Sequence, residues 1–275
     1  MTITVHPPLV PDIRPPTPRR HPATSARIPL SRIVGVELRK SFDTRSGLWL
    51  LAGIAIASVL TTGAVVAWAP HDQFTYSEFT LAIGVPLSII LPIIAALSVA
   101  AEWTQRSGLN TFTLVPHRGR VLRAKAIAAL VVAIAATAVA LAVGAVGNLI
   151  GSSAAGIPAV WNEDVADVGG FLLGNILLML VGFTLGALIR NSTGAVVAFM
   201  IYAFVAPGLL AFLAFNQRWF HDARPWVDAK YNQDALLQGH SLSGENWTQL
   251  AVTSVAWVFI PLAVASFRVL RSEVK

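Results

Sequence analysis

Residues 126–150 read Ala-Ile-Ala-Ala-Leu-Val-Val-Ala-Ile-Ala-Ala-Thr-Ala-Val-Ala-Leu-Ala-Val-Gly-Ala-Val-Gly-Asn-Leu-Ile, 25 residues without a charge or a histidine. A helix needs about 20 predominantly apolar residues to cross a hydrocarbon core of about 30 Å, so this stretch is long enough to span a bilayer. Five more charge-free windows share the property: 48–68, 79–101, 168–189, 193–215 and 247–267. Trp49, Trp68, Trp103 and Trp247 stand at or beside their ends, at the depth where interfacial tryptophans gather. Of the 275 residues 55% are hydrophobic and only 12% charged, about half the charged share of an ordinary soluble domain. The expected fold is an all-α integral membrane protein with a six-helix transmembrane domain over 48–267.

Charge sets the expected orientation. With six spans, one side carries the N-terminal region, the second and fourth loops and the C-terminus, holding 17 of the 20 Lys and Arg, while the other side holds nine of the 14 acids. Basic loops stay in the cytoplasm, so both termini are expected there, in the cell membrane. Residues 1–29 hold half of the 16 prolines among several arginines, a composition that neither sustains a helix nor begins a signal peptide. It reads as a retained, disordered cytoplasmic tail. A second short cytoplasmic tail is expected over 268–275.

Several chemistries are excluded by residue type. The chain has no cysteine, which removes disulfides and every thiolate site. Its net charge of +6 flanks apolar runs, which suits lipid headgroups and not nucleic acid. None of Lys40, Lys125, Lys230 and Lys275 follows a glycine, so there is no phosphate-binding P-loop. HExxH and GxSxG motifs are absent. No ionisable residue falls inside a window, which counts against a carboxylate ion site or proton relay built into the spans. Only the cluster His221, Asp222, Asp228 and His240 offers a conceivable surface metal or headgroup site.

Packing signals are plainer. Gly170, Gly174, Gly182 and Gly186 recur at multiples of four in the fourth window and would let a neighbouring backbone approach closely. Asn148 and Asn175 are candidates for hydrogen bonds between helices or for lining a path. Pro86, Pro92, Pro207 and Pro261 each remove a helical hydrogen bond and predict kinks. The segment 216–245 reads equally as an ordinary external loop or as short helices lying on or dipping into the leaflet. Before the first span, over 30–47, Leu30, Ile33, Val34, Leu38 and Phe42 recur at helical spacing, with Arg32, Glu37, Arg39, Lys40 and Asp43 mostly elsewhere. This predicts an amphipathic helix on the inner membrane surface, or one packed on a partner.

The second cytoplasmic loop runs from Glu102 through Gly108 and Thr111-Phe-Thr-Leu114 to Pro116, Arg118 and Lys125. In that order and spacing it resembles the permease subunits of type-2 ATP-binding-cassette (ABC) transporters, which place a glutamate, a glycine, a Thr/Leu-rich stretch, a Pro-x-Arg turn and a lysine there. Glu37-Leu-Arg-Lys40 with Arg45-Ser46, and the ending from Trp257 to Arg271, extend the resemblance over nearly all of the chain after residue 30.

The resemblance implies an ABC exporter in which this chain forms the translocation path for a hydrophobic or amphipathic drug, lipid or peptide-like cargo. Ile33, Val34, Glu37, Leu38, Arg39, Lys40 and Phe42 would belong to the connecting helix. Glu102, Arg106, Gly108, Leu109, Thr111, Phe112, Thr113, Pro116 and Arg118 would form the loop that docks on a separate ATPase subunit. That partner would bind ATP and magnesium, this chain would need no cofactor and catalyse nothing, and a second permease chain, identical or homologous, would complete the path. The alternatives are a non-transporting membrane partner or sensor subunit, and a lipid-modifying enzyme acting through the 221–240 cluster.

Overall fold

The fold is that of a computed structural model, described over residues 28–43, 45–70, 74–104, 118–239 and 242–271. The tail 1–27, the loop residues Arg106, Gly108, Leu109, Thr111, Phe112, Thr113 and Pro116, His240 and the last four residues lie outside that set. A short helix α1 (Leu30–Asp43) leads into α2 (Arg45–Trp68), α3 (Tyr76–Thr104), α4 (Arg118–Ala155) and α5 (Val165–Ile189). Helix α6 runs Ser192–Met200, passes through a π-helical turn at Ile201–Val205 and continues over Ala206–Asn216. Two short helices follow, α7 (Arg218–Val227) and α8 (Ala229–Leu237). Helix α9 comprises Gly244–Ser254, a second π turn at Val255–Phe259, and Ile260–Arg271. Six helices are long and apolar enough to cross a membrane, with mean hydropathies of 2.0 to 2.7. Among the described residues the one β interaction is a bridge between Thr75 and Val160.

The ends of these helices are written in local polar chemistry. Asp164 caps α5 and is answered by Asp167 in a reciprocal capping box, and Ser243 with Asn246 does the same for α9. Such side chains satisfy N–H groups that a helix start leaves without partners. Helices α5 and α6 are joined by two residues: Arg190 takes the left-handed conformation (φ 55°) and donates its N–H to the Gly186 carbonyl, and Asn191 caps α6. The helices outrun the charge-free windows. Helix α4 starts at Arg118 and ends at Ala155, because a helix needs lipid-compatible side chains only where it meets lipid.

Helix α3 is the hub, packed on α2, α4, α5 and the start of α6. Its Ile83, Leu87, Leu91, Ile94, Ala95 and Val99 join Phe171, Met179 and Phe183 of α5 and the alanines of α4 in the main core. The four glycines of α5 serve two neighbours. A methyl group on Gly182 or Gly186 would run into the backbone carbonyl oxygens of Pro92 and Ala96 in α3, whereas Gly170 and Gly174 face Leu236 and Leu237 of α8. Two helix backbones in direct contact gain dispersion along their length, which is what holds helices together where no hydrophobic effect acts between them. Gly182→Ala is therefore expected to cost about 1–3 kcal/mol by overpacking. Gly170→Ala, whose methyl would lie 3.5 Å from the nearest atom, should be near neutral. Unfolding midpoints in detergent would separate the two.

Candidate functional site

The bundle has a proximal end, where α1 lies, and a distal end, which carries 217–239. At the proximal end Ile33 and Glu37, four residues apart, both point into the protein, at 7% exposure each. The helical pattern of the sequence put Glu37 with the solvated residues; the structure buries it. Its partner is Lys125 near the start of α4, 5% exposed, whose Nζ lies 2.7 Å from Glu37 Oε2 and donates at 3.1 Å to the Ser98 carbonyl of α3. Lys40 reaches the other carboxylate oxygen at 2.8 Å. One buried charge pair thus joins α1, α3 and α4, and Arg120 adds a hydrogen bond of 2.6 Å to the Ile28 carbonyl ahead of α1. Burial by itself raises the Glu37 carboxyl, but the charge and hydrogen bond of Lys125, then those of Lys40, outweigh it. The group is held below its ordinary value of 4.5 and stays ionised.

These contacts surround the mouth of the second loop. Glu102 falls in the last turn of α3 and Arg118 is the first residue of α4; between them 105–117 lies outside the described residues. Around that mouth the turn between α5 and α6 closes in. The Arg190 guanidinium stacks over the Trp103 ring at 4.5 Å, Ser192 donates its backbone N–H to Thr104 Oγ1 at 3.1 Å, and the two hydroxyls lie 3.1 Å apart. Of the α1 residues singled out in the sequence, Leu38 packs against the main core and Val34 is half-buried, while Arg39 and Lys40 stay exposed.

At the distal end α7 and α8 form a hairpin that folds back into the bundle. Its turn meets Trp257, whose Nε1 donates to the Val227 carbonyl at 2.9 Å, and Trp257 lies 13 residues, roughly 20 Å of helix rise, from the start of α9. Tyr202, ten residues into α6, donates to Gln233 Oε1 at 2.9 Å. The hairpin tip therefore sits deep between the helix ends, and the polar groups of Asp228 and Asn232 there are met by protein. Asp228 Oδ1 accepts the Tyr231 N–H at 3.1 Å, Oδ2 accepts Arg224 Nε at 3.1 Å, and Asn232 Nδ2 donates to Pro225 O at 2.7 Å and to Thr253 Oγ1 at 3.2 Å. Non-helical backbone at such depth survives only when so enclosed. The hairpin also carries the pairs Arg224–Asp228 and Lys230–Asp234 inward, so ionisable groups reach a depth that the six charge-free windows do not reveal. A cleft of about 500 Å³ flanks it, lined by Pro207, Arg224, Tyr231, Gln238 and Asn246 among others.

The remaining candidates disperse. His221 and Asp222 are 75% and 88% exposed, whereas Asp228 is 2% exposed and fully engaged. Among the described residues no group of three or more His, Cys, Asp or Glu is placed to hold a metal. Asn148 is buried and donates to the Val160 carbonyl at 3.0 Å, and Asn175 donates to Phe171 O in its own helix at 2.9 Å. Neither bridges two spans. No family model matches the chain, and no curated protein matches it.

Removing one member of a buried ion pair strands the other. Lys125→Met is expected to cost about 3 kcal/mol, and adding Glu37→Leu to recover most of that loss, read as unfolding midpoints in detergent. A carboxyl whose folded value is depressed contributes stability above its unfolded value and loses it as pH falls through the folded one. The midpoint of the parent chain should therefore fall on acidification below about pH 4.5, and that of Glu37→Gln should fall less.

Proposed function

We propose that this chain is the permease subunit of an ABC exporter, driven by a separate ATPase subunit and completed by a second permease chain. One observation carries the reading: the buried Glu37–Lys125 pair fastens α1 to α3 and α4, the two helices from which 105–117 leaves and to which it returns. A force applied to that loop is then shared by three helices at once, as a docked, ATP-driven partner requires. The motif order from Glu102 to Lys125 agrees with this. In this reading both termini are cytoplasmic in the cell membrane, the distal hairpin faces outside, and the cargo is a hydrophobic or amphipathic drug, lipid or peptide-like molecule. ATP and magnesium bind the partner alone.

The test is co-purification and ATP hydrolysis in membranes holding the chain with a candidate ATPase subunit. The intact chain should retain the ATPase, and a Glu102→Ala, Gly108→Pro double variant should release it or uncouple hydrolysis. If the variant behaves as the parent, the loop is not the docking element and the export reading fails.

A further inference from the structure

Helices α6 and α9 share an unusual arrangement. In α6 a five-residue π turn begins at Ile201 and a proline follows six residues later, at Pro207; in α9 a π turn begins at Val255 and a proline follows six residues later, at Pro261. A proline supplies no N–H to the carbonyl four residues back and its ring crowds that carbonyl. In each helix the N–H just before the proline instead reaches five residues back, Ala206 to Ile201 and Ile260 to Val255. The result is a widened turn in each helix. Pro86 and Pro92 in α3 lie within regular helix, so proline alone does not produce it. π turns of this kind concentrate at functional positions.

Each π turn holds one aromatic side chain with a hydrogen-bond donor, Tyr202 beside Phe204 in one and Trp257 beside Phe259 in the other. The Tyr202 and Trp257 rings lie 6.2 Å apart, and each donates a hydrogen bond to the hairpin. The same seam is under-satisfied: Gln233 Nε2 and Ser254 Oγ are buried without a partner. Leaving such groups unmet penalises the docked position. The cleft of about 500 Å³ lies between the hairpin and Pro207 of α6 and Asn246 of α9, so the hairpin is not packed solidly against these helices along its whole length. Three side-chain hydrogen bonds tie the hairpin to α6 and α9, from Tyr202, from Trp257 and between Asn232 and Thr253. Two of the three come from the π turns, and the orphaned polar groups and the cleft beside them oppose the docked position.

We propose that Tyr202 and Trp257 are the positioning residues of a latch that holds the α7–α8 hairpin closed, and that the two proline-linked π turns are the hinges that release it. As a gate for cargo the latch rests on the export reading; as a hinged element it does not.

The chain has no cysteine, so a single Ala229→Cys at the hairpin tip, 3% exposed, reports opening by its reaction with a charged, membrane-impermeant maleimide in lipid nanodiscs. Tyr202→Phe and Trp257→Phe each keep a ring and remove a donor. Each should speed labelling by roughly tenfold, the change expected for one lost hydrogen bond, and the pair by more. Ala195→Cys, at a fully buried site of α6, should stay protected throughout. Unchanged rates at position 229 in both variants, or equal acceleration at 195, would overturn the latch. An ATPase that couples to the chain while labelling stays unchanged would sink the latch and spare the export reading; faster labelling in a chain that recruits no ATPase would do the reverse.

Discussion

Hydrocarbon offers a peptide group no hydrogen-bond partner, and the structure follows from how each part of the chain meets that constraint. Six long helices meet it internally. The hairpin tip cannot, and it is admitted because Trp257, Asn232 and Asp228 supply what water would have supplied. At Pro207 and Pro261 the ladder itself is rearranged, and the widened turns keep neighbouring carbonyls bonded.

The same constraint explains why charge is concentrated in enclosed pairs. Glu37 with Lys125, and Asp228 with Arg224, each place a carboxylate at 7% exposure or less beside a cation. Buried pairs of this sort contribute little net stability against an apolar substitute, yet they allow few alternative arrangements. One fixes how α1 meets the spans at the proximal end; the other fixes the hairpin turn at the distal end. Between them runs the α3–α5 seam, where glycines bring backbones together and leave little room for independent sliding.

Much of this was legible in the sequence, and the parts that were not share a cause. The six spans announce themselves because lipid selects against every charge along a crossing. The α1 pattern was visible too, but the four-residue stride that buries Ile33 also buries Glu37, and nothing local says so: its partner lies 88 residues away. Sequence alone does not separate an ordinary loop from dipping helices at the hairpin, because α7 and α8 are too short and too polar to look like membrane segments. Their burial is licensed by side chains on α6 and α9. The prolines were plain, whereas the π turns they accompany depend on the packing around them. The docking role proposed for 105–117 rests on motif order and on the helices that bracket the segment, since these residues fall outside the described set.

The hairpin also imposes an order of assembly. Its acceptor and donor partners on α9, Thr253 and Trp257, come later in the chain than α7 and α8 themselves. When α7 and α8 emerge during synthesis, α5 and Tyr202 of α6 precede them in the chain, whereas Thr253 and Trp257 do not yet exist. The hairpin can therefore pack against α5 and α6 first, and its seat is completed only when α9 joins.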